Sequence, residues 1–258
     1  NMGMQLVKMG SINNATTTSS ASINNDYTHL STTLSACDAQ DVEILVGSNN
    51  STQIGIYVDW NKDGTFGVGG TEEVLLSGMV TAGGTYKGSF TVPVGQAAGS
   101  YRLRVVGDYG QSGYPVDPCH LRYTGEVEDY TLIIVSPSGT DVTATQLVNP
   151  TQFSFGNNTI KLRIQNKGGS TINTATIGYQ LPGQNPVTQN LSGLNLGICN
   201  STDVTFSSPL NLPYGIYALK IWANNPNNTQ PDSDPSNDTL VVTACTPLDG
   251  IYTIDPSG

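Results

Sequence analysis

The chain has 258 residues, 12% of them charged and 37% hydrophobic, and its 20 acidic against 10 basic side chains give a formal net charge of −10. That acid excess repels nucleic acid and anionic membrane surfaces, so neither is an expected partner, whereas it suits divalent cations. The composition is not that of a disordered chain, and the length suffices for one large or two ordinary domains, each with its own core.

Taken in chain order, the first 136 residues break into short alternating runs: DVEILVG, QIGIYVDW, EEVLLSGMV, TYKGSFTV, SYRLRVVGDYG and EDYTLIIV. Gly, Pro, Asn and Asp punctuate them, and no window sustains a helical period. SPSGTD then forms a Ser/Pro/Gly joint, and the pattern restarts with TDVTATQLV, NTIKLRIQNKG, ATIGYQL, TDVTFSSPLNL, GIYALKIWAN and TLVVTAC. The fold expected is all-β: two tandem β-sandwiches, Ig-like or jelly-roll-like, over residues 1–136 and 140–245. Formal charge divides as −7 for residues 1–136 (13 acids, 6 bases) and −3 for the remainder (7 acids, 4 bases), so most of the acid excess lies in the first domain. The opening NMGMQLVKMG lacks the apolar run of a secretion signal, and no segment has the length and apolarity to span a membrane as a helix. Residues 246–258 contain GIYTI, which reads as a linker and the first strand of a following module, so the chain is expected to be an internal fragment of a longer secreted protein.

The stretch YVDWNKDGTF places Asp59, Asn61 and Asp63 at alternate positions before Gly64, the opening of a D-x-[DN]-x-[DN]-G calcium loop. Alternation puts Ile54, Ile56, Val58 and Trp60 on the core face, with Gly55, Tyr57 and Asp59 outward. Thr65 could add a backbone carbonyl. The twelfth position, where an EF-hand carries its bidentate Glu, is Gly70, so the loop is not an EF-hand; Glu72 or Glu73 would close a β-framed variant. The competing reading is an ion-free turn held by Asx bonds. Oxygen donors of this kind favour calcium over zinc or copper.

In GEVEDY, Glu126 and Glu128 share a face, as do Arg102 and Arg104 in YRLRVV. The plain expectation is an Arg–Glu network locking the last strand to its neighbour; the alternatives are metal ligands or a ligand-facing patch. A glycosidase carboxylate pair would need a cleft that sequence cannot show. The late loop NNPNNTQPDSDPSNDT carries Asp232, Asp234, Asn237 and Asp238, a possible calcium site or a solvated turn. Tyr109, Tyr114 and Tyr123 are candidates for recognition of a glycan or protein partner. Cys37, Cys119, Cys199 and Cys245 are even in number and spread over both halves, which suggests two disulfides and an oxidising compartment, with free thiols as the alternative. Of three pairings, Cys37–Cys119 and Cys199–Cys245 keep each bond within one domain. His29 and His120 are too few for the common zinc patterns, and His120 beside Cys119 would point to the opposite face of a strand, away from any dyad. The sequence contains no G-x-S-x-G, H-E-x-x-H, phosphate-loop or dinucleotide motif.

IYVDWNKDGTF, SYRLRVV and PCHLRYTGEVEDYTLII, in that order and with VKMGSINN and NDYTHLS before them, resemble the GEVED domain of secreted bacterial proteins, chiefly of the Bacteroidota. The resemblance covers roughly residues 4–136. It implies an extracellular, non-catalytic β-sandwich module of large surface proteins, also found beside secreted peptidases and other hydrolases, and often exported by the type IX route. LRIQNKGGSTINTATIGYQL, GIYALKIWAN and DSDPSNDT are similar to the bacterial cell-adhesion-related (CARDB-type) Ig-like family, which implies a spacer or adhesion module. The functional expectation is a non-enzymatic, adhesive or structural cell-surface segment stabilised by calcium. Its partners would be an extracellular protein, a glycan or neighbouring copies in a surface assembly. The alternative is an accessory, substrate- or carbohydrate-binding module of a secreted hydrolase.

Overall fold

The computed structural model describes residues 3–16, 24–109, 116–119, 125–228 and 232–246. The chain divides into two compact units, Asn1–Ser136 and Pro137–Gly258. Among the described residues the regular elements are strands, apart from one 3-10 turn at Pro226–Asn228. This is the all-β, tandem-sandwich architecture that the period-two patterning predicts.

The first unit contains β1 (Met4–Met9), β2 (Ile12–Ala15), β3 (Asn25–Ser35), β4 (Ala39–Val46), β5 (Thr52–Val58), β6 (Glu73–Val80), β7 (Thr85–Thr91), β8 (Gly99–Asp108) and β9 (Gly125–Val135). They form a four-stranded sheet, β2-β1-β4-β7, and a five-stranded sheet, β3-β9-β8-β5-β6. Strict alternation in β4 sends Gln40, Val42, Ile44 and Val46 inward. Ile54, Ile56, Leu103 and Leu132 are fully buried on the other sheet, and each such side chain contributes about 1.5–3 kcal/mol on leaving water.

Strand β5 departs from its expected two-faced pattern. Tyr57 is fully buried and Asp59 only 6% exposed, although alternation places both outward. The second face of β5 is covered by a small cluster in which Tyr57 packs with Phe66, Val106, Val116 and Val127. The Tyr57 hydroxyl donates to the Val116 carbonyl at 2.6 Å. Period-two reasoning sees one core; a loop folded over the outer face supplies the other.

The second unit contains β10 (Val142–Asn149), β11 (Gly156–Asn158), β12 (Lys161–Asn166), β13 (Ala175–Gln180), β14 (Val187–Leu191), β15 (Ser201–Thr205), β16 (Leu210–Leu212), β17 (Ile216–Asn224) and β18 (Thr239–Cys245). The sheets are β10-β12-β15, β11-β16 and β14-β13-β17-β18. One core joins Val142, Leu162 and Ile164 to Ile177, Leu219 and Ile221. The run TDVTFSSPLNL is two strands, broken where Ser207, Ser208 and Pro209 intervene. VTQNL, polar enough to pass for a loop, is the edge strand β14, paired with β13.

Neither expected disulfide forms. Cys119 and Cys245 carry exposed free thiols, whereas Cys37 and Cys199 are each disulfide-bonded. Cys37 follows Ala36, whose N–H donates to Val135 at the far end of β9. Cys119 follows Pro118, whose carbonyl accepts from Arg104, opposite Asp129. The strand from Asp129 to Val135 spans about 20 Å, and a disulfide needs Cα atoms within about 7 Å. In the second unit, Cys199 donates its N–H to Asn166, beside Val142 at the start of β10. Cys245 lines a groove with Thr151, Gln152 and Phe153, past the other end of that strand.

Candidate cation sites

The loop after β5 gathers Asp59, Asn61, Asp63 and Thr65 through short-range bonds. Asp59 Oδ1 accepts from the Asp63 N–H at 3.1 Å and Oδ2 from the Gly64 N–H at 3.0 Å. Asn61 Oδ1 accepts from the Asp63 N–H at 2.8 Å. Asp63 Oδ1 accepts from both the N–H and the hydroxyl of Thr65, which hold its carboxyl below the ordinary aspartate range. Gly64 takes φ +82, the left-handed bend the loop needs. Both Asp59 oxygens accept one N–H each, and Asp63 Oδ2 accepts one bond, from Asn61 Nδ2 at 2.9 Å, so these three keep a lone pair for a hard cation, whereas Asp63 Oδ1 is occupied by Thr65. The Asx turn and the ion loop are therefore compatible rather than exclusive.

The two glutamates beyond the loop are engaged differently. Glu72 is buried; its Oε2 accepts from the Gly67 N–H at 2.8 Å, and its Oε1 is buried without a partner. Glu73 turns to the Gly69 N–H at 3.1 Å. An orphaned carboxylate oxygen inside the protein is costly unless something neutralises it, which singles out Glu72 rather than Glu73.

In the second unit, Asp141, Asp232 and Asp238 bring carboxylate oxygens within 4.8 Å of one another, the one such group of three acidic, His or Cys side chains among the described residues. Asp141 precedes β10, whereas Asp232 and Asp238 flank the turn before β18; β10 and β18 lie in different sheets, and the packing of one sheet on the other joins positions about ninety residues apart. Asn237 Nδ2 donates to both oxygens of Asp141, at 3.3 and 3.2 Å. Asp238 Oδ1 and Asn237 Oδ1 are buried without partners. Burial, followed by the charge of Asp232, pushes the Asp238 carboxyl up to about 7. Asp234 belongs to the surface of the turn, where Ser236 donates to it and lowers its carboxyl. The late acidic loop marks this group in the sequence, but Asp141 carries no local signal.

The GEVEDY segment forms the start of β9, and its register corrects the expected Arg–Glu network. Arg104 lies opposite Asp129 and Arg102 opposite Thr131, while Glu128 lies opposite Val105 and Glu126 opposite Gly107. The arginines and the glutamates thus occupy opposite faces of the sheet. Arg104 makes a two-pronged ion pair with Asp129 at 2.7 and 2.8 Å, and its guanidinium stands 4.6 Å from the Phe66 ring centroid. Glu126 and Glu128 point inward, 2% and 1% exposed. Arg102 is exposed. The Arg–Asp pair could have been found by counting the register outward from Leu103, but only once the pairing of β8 with β9 is fixed.

Of the candidate recognition aromatics, Tyr109 is 44% exposed; Tyr114 and Tyr123 lie outside the described residues, as does His120. The GEVED domain family matches residues 53–133, which run from β5 through the loop to β9 and so include both the Asp59 loop and GEVEDY. No curated protein matches the chain. Among solved structures, a domain from Methanosarcina acetivorans, described as belonging to a cell surface protein, is 24% identical over 44% of this chain and 97% of its own, with a TM-score of 0.35. A tetra-tandem repeat from the extending region of a large adhesion protein is 13% identical over 83% of this chain and 49% of its own, with a TM-score of 0.27. The FN1-FN3 domains of chicken CNTN1 are 12% identical over 91% of this chain and 68% of their own, with a TM-score of 0.25. Likeness at this level carries no argument about function.

Proposed function

We propose that the chain is a non-catalytic, calcium-ordered segment of an extracellular surface protein, adhesive or structural in role. The observation that carries the calcium reading is the Asp59 loop: Asp59, Asn61 and Asp63 are drawn together by short-range bonds around the left-handed bend at Gly64. Asp59, Asn61 and Asp63 would hold the ion, an all-oxygen set that suits a hard divalent cation; the carboxylates of Asp59, Asp63 and Glu72 do not all lie within 4.8 Å of one another, so Glu72 would have to swing toward the ion to complete the shell. Bound calcium would neutralise part of an acidic domain and order an exposed loop. Asp141, Asp232 and Asp238 offer a second set of the same chemistry.

The extracellular reading is supported by the GEVED match over residues 53–133 and by a disulfide, a bond that persists in oxidising surroundings. Within this reading the source is a bacterium of the Bacteroidota, the export route is type IX, and the second unit is a CARDB-type spacer. The partner is another surface protein, a glycan or a neighbouring copy. Limited proteolysis tests the calcium claim. Lys62 lies in the exposed loop at φ +62, so trypsin should cut there in chelator and fail to cut in millimolar calcium. Asp59→Ala should be cut in both. Equal cleavage of the wild type in both conditions would remove calcium from the account.

A further inference from the structure

We propose that Glu126 and Glu128, the two glutamates of GEVEDY, form an internal site for a small hard cation, calcium by its chemistry, between the two sheets of the first unit. The residues are distinct from those of the Asp59 loop, so the two readings stand or fall separately.

Both carboxylates are at least 98% buried, on the inner face of β9, with one residue between them. Every donor to them is neutral. Glu126 Oε2 accepts from the Met4 N–H at 2.8 Å and Oε1 from Asn25 Nδ2 at 2.6 Å. Glu128 Oε2 accepts from the Tyr130 hydroxyl, which itself accepts from Asn14 Nδ2 at 2.8 Å. Glu128 Oε1 is buried with no partner. Among the described residues, none of the ion pairs involves either glutamate. The strands packed around them bring no cation: β8 presents Val105 and Gly107, β1 presents Met4, β2 presents Asn14, and β3 presents Asn25 and Tyr27, whose ring stacks on Tyr130 at 5.7 Å.

Two carboxylates cannot both remain charged and unpaired at that depth; each needs a counter-charge or a proton. The Tyr130 hydroxyl beside Glu128 is an oxygen donor already in place, and Asn14 and Asn25, which now turn Nδ2 toward Tyr130 and Glu126, would present their amide oxygens to a cation by a flip of the amide. Oxygen donors with two carboxylates suit calcium, and no soft ligand is present in the set. Burial raises both glutamates, the direction expected of carboxylates with no counter-charge beside them.

The experiment is calorimetric titration of calcium into the metal-stripped full chain at pH 7. Wild type should bind a calcium equivalent that Glu128→Gln loses and that Glu126→Gln weakens at least tenfold. Asp59→Ala should lose a different equivalent and keep this one. Terbium luminescence excited through tyrosine gives a second readout, expected to fall in Tyr130→Phe. If Glu128→Gln binds as many calcium equivalents as wild type, the site does not exist. A Glu128→Gln variant that is merely more stable, with calcium binding unchanged, would assign the glutamate pair to a proton alone and overturn the proposal.

Discussion

In chelator, Glu128→Gln should reverse sign across the pH scale. The folded protein holds the Glu128 carboxyl at about 8, against an ordinary value of 4.5, chiefly because burial disfavours the charged form. Below 4.5 the group is protonated in both folded and unfolded chains and has no effect. Between 4.5 and 8 the unfolded chain releases the proton and the folded one keeps it, so stability falls as pH rises and levels off above 8. The interval is 3.5 pH units, and at about 1.4 kcal/mol per unit the full loss is on the order of 5 kcal/mol. Glutamine removes this loss. It keeps an acceptor for Tyr130 but places an amide N–H where Glu128 Oε1 has no partner, a cost of about 1–3 kcal/mol. Urea unfolding with metals removed should show Glu128→Gln less stable than wild type at pH 5 and more stable, by about 2–4 kcal/mol, at pH 9. Parallel pH profiles for the two proteins would refute the assignment of this buried charge.

Arg104→Ala should cost about 3 kcal/mol, measured by urea unfolding, because it strands a largely buried Asp129 and removes the contact over Phe66. In the second unit, Asp238→Asn should flatten the pH dependence of stability between the ordinary aspartate value of 3.8 and about 7, the window over which the raised Asp238 carboxyl makes wild type lose stability as pH rises. Gly178→Ala should destabilise by about 1–3 kcal/mol through overpacking, since a Cβ there would meet the Trp222 ring at 2.2 Å. Thiol titration of the native, unreduced protein should find Cys119 and Cys245 reactive and Cys37 and Cys199 silent until reductant is added.

The β class and the placement of most strands were legible because alternation and turn chemistry are local. Burial on the second face of β5 was not, because the cover arrives from Phe66 and from Val116, sixty residues onward. The same limit hid the true partner of Arg104. Face-sharing within each strand correctly grouped Glu126 with Glu128 and Arg102 with Arg104, but which group meets which depends on cross-strand register and on which face is the inner one. Asp141 illustrates a third kind of loss: the late acidic loop was visible as a cation candidate, yet its partner carboxylate comes from the residue just before the first strand of the same unit. Cysteine pairing failed for the same reason. Two residues in one domain need not lie at one end of it.

Thermal unfolding of the metal-stripped chain with and without millimolar calcium tests the calcium-ordered module most directly. Saturation at 100 times the dissociation constant stabilises by about 2.7 kcal/mol, so the wild-type midpoint should rise by several degrees in calcium, and Asp59→Ala should lose a measurable part of that rise. A wild-type midpoint unchanged between calcium and chelator would contradict the account.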